Sequence, residues 1–159
     1  METKRHALTP SLTVHDADAA IAFYQKAFGA QSGGPVSRGG DGKVLHCELL
    51  VGDHKFFVND EFPPMQCYSP KHYGGTGVIL QLLVDDCDPV YKAAMELGAT
   101  SVMEPNDAFW GDRYACITDP FGHIWGISSV REVLTEEEQK ERAEKLFGKP
   151  SQCAPAEAK

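Results

Sequence analysis

The chain lacks any run able to cross a membrane. None of its apolar stretches approaches the roughly 20 residues that a spanning helix needs, and METKRHALTP at its start has no apolar segment of the kind a secretion signal carries. A cytoplasmic protein with no membrane partner is the expectation. Paired cysteines are missing too. Cys47, Cys67, Cys87, Cys116 and Cys153 are scattered, odd in number and without C-x-x-C spacing, which suits neither a disulfide framework nor a zinc site. Most of them are expected to pack as small buried apolar residues. Positive charge is in deficit: 15 basic residues face 23 acidic ones, for a net charge of −8. A field of that sign repels nucleic acid and favours cationic partners.

What is present is enough chain, 159 residues, for one domain with a real core. A strand is expected over Leu8–Val14, followed by a helix whose Ala19, Ile21, Phe23, Tyr24, Ala27 and Phe28 form an apolar stripe. His15-Asp16-Ala17-Asp18 offers caps at its start and Gly29 stops it. The glycine- and serine-rich stretch Gln31–Gly42 reads as a mobile loop, and strands follow over Lys43–Val51 and Lys55–Asn59 around a turn at Gly52-Asp53. The second half repeats the plan. A strand is expected over Val78–Val84, a helix from Cys87 to Leu97 stopped by Gly98, a strand near Thr100–Met103, and a hairpin over Arg113–Ile127. V-H-D-A-D at Val14–Asp18 matches V-D-D-C-D at Val84–Asp88, and both helices end in Gly-Ala, which signals an internal duplication.

Phe62–Gly77, with Pro63, Pro64, Pro70 and Gly74-Gly75, reads as the linker that lets the second unit swing across to pair with the first. Beyond Arg131, Thr135 and Glu138 form a capping box that starts a short charged helix, and SQCAPAEAK is expected to be a disordered tail.

The helix end F-Y-x-x-x-F-G-A (Phe23–Ala30) and the hairpin D-P-F-G-H-x-W (Asp119–Trp125), set in two such units, resemble the vicinal oxygen chelate superfamily of glyoxalases, bleomycin-resistance proteins and dioxygenases. VGDHKFFVNDEFP (Val51–Pro63) and the run from Asp119 to Arg142 are similar to its PhnB-like members. The resemblance implies an α+β fold in which two tandem βαβββ modules, about 8–62 and 76–130, form cupped mixed sheets. These make a single domain over 1–131, with the C-terminal helix and tail over 132–159. It also implies a homodimer with cavities between units.

Metal-using relatives place ligands at positions that fall here on Thr9, Glu48, Ile79 and Gly126. Glu48 alone among these can bind a divalent ion, so no metal site and no cofactor is expected. His46 and Glu48 share a strand face with Val44 and Leu50. They are the candidate catalytic pair, either as the start of a displaced divalent-metal set or as an acid–base couple.

The hairpin itself is turn chemistry, with Asp119, Pro120 and Gly122 shaping the bend. Trp125 is expected as a core anchor and His123 as a brace of the turn. Gly126 leaves room on the concave face. Gln81, Phe109, Trp110, Arg113 and Tyr114 are the other candidate ligand-binding residues, with one of Phe56 and Phe57, taken as Phe56. Phe62–Met65 would cover the mouth. The expected function is binding of a small, partly aromatic organic molecule without a catalytic metal. The alternative is a metal-dependent lyase, isomerase or dioxygenase built on His46 and Glu48.

Overall fold

The computed structural model describes residues 8–148; the expected tail and Cys153 lie outside the described residues. In the first half, β1 (Ser11–Val14) leads into α1 (Ala17–Phe28), then β2 (Gln31–Ser32), β3 (Ser37–Arg38), β4 (Val44–Val51) and β5 (His54–Asp60). A 3-10 turn (Pro63–Met65) and the one-turn helix α2 (Pro70–Tyr73) occupy the linker. In the second half β6 (Ile79–Leu83) leads into α3 (Cys87–Glu96), then β7 (Thr100–Asp107), β8 (Asp112–Thr118) and β9 (Ile124–Val130), and α4 (Glu136–Phe147) follows.

The two sheets share one topology. β1 runs parallel to β5 in the order β1-β5-β4-β2, and β6 runs parallel to β9 in the order β6-β9-β8-β7. Local chemistry starts each helix in the same way. Asp16 accepts the backbone N–H of Ala19 at 3.0 Å and Asp86 that of Asp88 at 3.4 Å, so the two aspartates of the repeated motif are the caps. Gly29 then takes φ 67°, a left-handed position that ends α1.

Gln31–Gly42, expected as a loop, contributes two short strands to the edge of β4. Two successive β3 residues, Ser37 and Arg38, face His46 and Val44, so β4 carries an extra residue near Leu45. That irregularity turns Val44 into the core beside Cys47 and Leu49, whereas strict alternation would have kept it with His46 and Glu48.

The modules meet through their helices and the last hairpin. The first sheet lays one face against α1 and the second lays one against α3, and the two helices pack together around a core containing Leu12, Val14, Phe23, Tyr24, Leu49, Val58, Ile117, Trp125 and Ile127. No strand of one sheet pairs with a strand of the other among the described residues, so the linker does not bring them edge to edge. Asp119, only 4% exposed, joins the halves instead. Its Oδ2 accepts the Tyr24 hydroxyl at 2.7 Å and the Trp125 indole N–H at 2.9 Å, and its Oδ1 accepts the backbone N–H groups of Phe121 and His123, both at 2.9 Å. A buried carboxylate so fully bonded avoids the penalty of an unpaired charge. Burial, reinforced by the neighbouring carboxylate, pushes the Tyr24 phenol well above its ordinary value. His123 Nε2 also donates to the Thr13 carbonyl at 3.1 Å, tying the hairpin to β1.

Candidate functional site

The faces turned away from the helices are open, and pairing register says which side chains share them. On the first sheet Ser11 lies beside Phe57, and Phe57 beside Glu48; on the second, Gln81 lies beside Gly126, and Gly126 beside Cys116. The two trios are equivalent by the duplication. Gln81, not Ile79, is thus the β6 neighbour of Gly126.

On the first sheet the Glu48 carboxylate pairs with Lys55 Nζ at 3.0 Å, both side chains being about one-quarter exposed. The His46 ring lies instead against Phe57, with centroids 4.6 Å apart, and Lys55 Nζ lies over the same Phe57 ring, 5.7 Å from its centroid. Thr13 Oγ1 shares a hydrogen bond with Cys67 Sγ at 3.0 Å and accepts from Asn59 Nδ2 at 3.2 Å. A concavity of about 740 Å³ lies at this end, bounded by Gly39–Leu45 on one side and by Phe62, Met65 and Cys67 of the linker on the other. Its Asp60 and Glu61 carboxylates are already engaged, Asp60 by the N–H groups of Ala17 and Val44 and Glu61 by Ser69.

On the second sheet a concavity of about 470 Å³ is lined by Gln81, Leu82, Leu83, Trp110, Asp112, Tyr114 and Ser128. Asp112 organises its polar side: Oδ2 accepts the Ser128 hydroxyl at 2.5 Å and the Trp110 indole N–H at 3.0 Å. Trp110 stands edge-on to Tyr114, centroids 5.5 Å apart. Gly126 does not open space here, contrary to expectation. A Cβ at this position would collide with the Gln81 amide and lie 2.7 Å from the Tyr114 hydroxyl, so those two side chains fill the room that the glycine vacates.

The structure thus brings Gln81, Trp110, Tyr114 and Gly126 together and separates the other expected lining residues from them. Phe56 is a core residue, 5.5 Å from the Tyr24 ring and 5.7 Å from Trp125, and it is Phe57 that reaches the open face. Arg113 points to the helix side, where its guanidinium pairs with Asp88 at 2.9 Å and Asp107 at 3.2 Å; hydrogen bonding to Asp88 raises its pKa further. Phe109 packs on Trp110 from outside the concavity and faces Phe147. Asp112 and Ser128 were not among the expected ligand-binding residues, although alternation places Ser128 on one face with Gly126, and Asp112 on one face with Tyr114.

The donor set does not suit a divalent ion. Of the two equivalent trios, only Glu48 supplies a hard anionic ligand, and an ammonium already lies 3.0 Å from it. Cys116 on the second sheet is a buried thiol whose pKa is pushed up by burial, as are those of Cys47 and Cys87. Among the described residues, no three His, Cys, Asp or Glu side chains converge where they could hold one ion.

Residues 5–127 match the model of the Glyoxalase/Bleomycin resistance protein/Dioxygenase superfamily. The chain belongs to that superfamily. The uncharacterized protein Mb0911c of Mycobacterium bovis is 43% identical over 84% of this chain and 90% of its own. The crystallised gene product At5g48480 of Arabidopsis thaliana, 29% identical, covers 78% of this chain and 98% of its own with a TM-score of 0.61. A PhnB protein of Bacillus cereus shares the fold at 16% identity, with a TM-score of 0.62 over 79% of this chain and all of its own. The two mixed sheets with helices on one side are thus the α+β architecture of this superfamily.

Proposed function

We propose that this member of the superfamily binds a small, partly aromatic organic molecule in the concavity of the second sheet. The observation that carries the reading is the convergence there of two aromatic rings, Trp110 and Tyr114, with a fixed carboxylate, Asp112, and the Gln81 amide. Rings supply large apolar contact area, while a few placed polar groups set orientation. The larger concavity of the first sheet offers less aromatic contact, because Phe62 is the single ring among its lining residues. The site as proposed works without a metal, and the neutralised Glu48 is then a structural partner of Lys55. The PhnB-like segments Val51–Pro63 and Asp119–Arg142 make the reading that of a PhnB-like, cytoplasmic binding protein. Among the described residues no helix is long and apolar enough to cross a membrane.

The same reading includes a homodimer. Ile79, Leu83, Met103 and Val130 stand exposed on the open face of the second sheet, more apolar surface than an isolated sheet usually leaves to water. A second copy laid over it would close the concavity.

A thermal-shift screen of the protein against planar aromatic compounds, amines included, tests the site. A ligand selective for the folded state raises the melting temperature, and the shift is expected to vanish in Trp110→Ala and Tyr114→Ala. A hit whose shift survives both substitutions would place its binding elsewhere.

A further inference from the structure

The lip of the second-sheet concavity is bonded both to its own sheet, through Trp110 Nε1 and Asp112, and to the segment that leads into the C-terminal helix. The β7–β8 connection is a tight turn in which Gly111 takes φ 102°, and its carbonyl accepts the N–H groups of both Arg131, at 3.0 Å, and Glu132, at 2.9 Å. A Cβ on residue 111 would run into the Glu132 carbonyl and lie 3.3 Å from Leu134 Cγ, so only glycine lets the lip close against the segment leading to α4. From the helix, the Phe147 ring meets Phe109 at 5.8 Å; Phe109 meets Trp110 at 5.0 Å, and Trp110 meets Tyr114 at 5.5 Å. An unbroken file of rings runs from α4 into the concavity. Arg142 on the helix reaches back to Glu132 at 2.6 Å.

The helix is otherwise hardly held. It buries none of its residues, and Phe147 is 76% exposed. Its own capping box, with Thr135 and Glu138 exchanging hydrogen bonds, supports it locally. A gap of about 340 Å³, lined by Ala108, Gly111, Arg113, Arg131, Glu132 and Arg142, separates lip and helix between these attachments. An element with few buried contacts opens at low cost without unfolding the domain.

We propose that α4 is a strap that sets the position of Trp110 over the concavity, with Phe147 and Gly111 as positioning residues. Its bearing on ligand entry rests on the binding reading above, but the movement of Trp110 is measured without a ligand. The chain has two tryptophans, Trp125 buried at 4% and Trp110 exposed at 37%, so acrylamide quenching of emission reports Trp110. In Phe147→Ala the quenching constant of the accessible tryptophan is expected to rise about two-fold as the ring file is broken, with unchanged far-UV circular dichroism, and Phe147→Tyr is expected to restore it. Trp110→Phe is expected to remove the accessible component altogether. An unchanged constant in Phe147→Ala, or a rise that Phe147→Tyr fails to reverse, would overturn the proposal, as would an accessible component that survives Trp110→Phe. A quenching change in Phe147→Ala alongside a screen in which no aromatic compound shifts the melting temperature would support the strap while defeating the binding reading.

Discussion

Asp119 is where a single residue matters most to this fold. Four donors from both modules converge on one buried carboxylate, so deleting any of them changes an internal hydrogen bond and not a hydrated one. Tyr24→Phe is expected to cost about 2 kcal/mol, the range for a hydrogen bond to a charged group, and Asp119→Ala about 3 kcal/mol or more because it leaves a phenol and an indole unpaired. Urea denaturation monitored by circular dichroism reads both; equal midpoints for Asp119→Ala and the parent chain would contradict the assignment. The turn role of Asp119 was legible in D-P-F-G, and so was the burial of Trp125. The partner Tyr24 was not, because it comes from 95 residues away and nothing in local pattern links the two. Phe56 and Phe57 show the same limit. Alternation says that they face opposite sides, but which side is the core depends on α1, which packs Tyr24 against Phe56.

Among elements, the strand–helix starts were the most legible, since Asp16 and Asp86 cap by local chemistry that repeats in the sequence. Asp16→Ala is expected to destabilise the chain by about 1 kcal/mol, read from the same denaturation curves. The edge strands β2 and β3 were not legible. Gln31-Ser32 and Ser37-Arg38 are polar pairs without alternation, and their strand geometry comes from the hydrogen-bonding edge of β4. Gly33 shows how closely that edge is covered: a Cβ there would lie 2.6 Å from Glu48 Cγ. The lip is the other element set by its surroundings. Gly111→Ala combines an unfavourable positive φ with a clash against the Glu132 carbonyl and is expected to cost about 1–3 kcal/mol, with looser packing of the C-terminal helix. Hydrogen exchange at Arg131 and Glu132, whose N–H groups bond to the Gly111 carbonyl, would register the change; full protection there in the variant would count against the strap.

At the scale of the whole molecule, paired surface charge and an exposed apolar sheet face govern stability in acid and association. Hydrogen bonds from Arg113 and Arg38 hold the carboxyls of Asp88 and Asp18 below their ordinary value of 3.8. In the folded chain these groups therefore bind fewer protons than in the unfolded chain as the pH drops past 3.8. Their contribution to stability is complete above that pH and is lost as the pH falls through the lowered folded-state values. Acid titration of the melting temperature is expected to show this loss, and Arg113→Leu to diminish it. Size-exclusion chromatography with light scattering is expected to give twice the chain mass of 17.4 kDa. A monomer at micromolar concentration would leave Ile79, Leu83, Met103 and Val130 without their proposed cover.

The most direct measurement is a crystal structure of the protein grown with the strongest aromatic hit of the thermal-shift screen, combined with elemental analysis of the same preparation. The expected result is ligand density between Trp110, Tyr114 and Gln81, within reach of Asp112, in protein free of stoichiometric transition metal. A tightly held ion anchored by Glu48 and at least two further side chains, from either subunit, would contradict it, as would a ligand seated away from the second sheet.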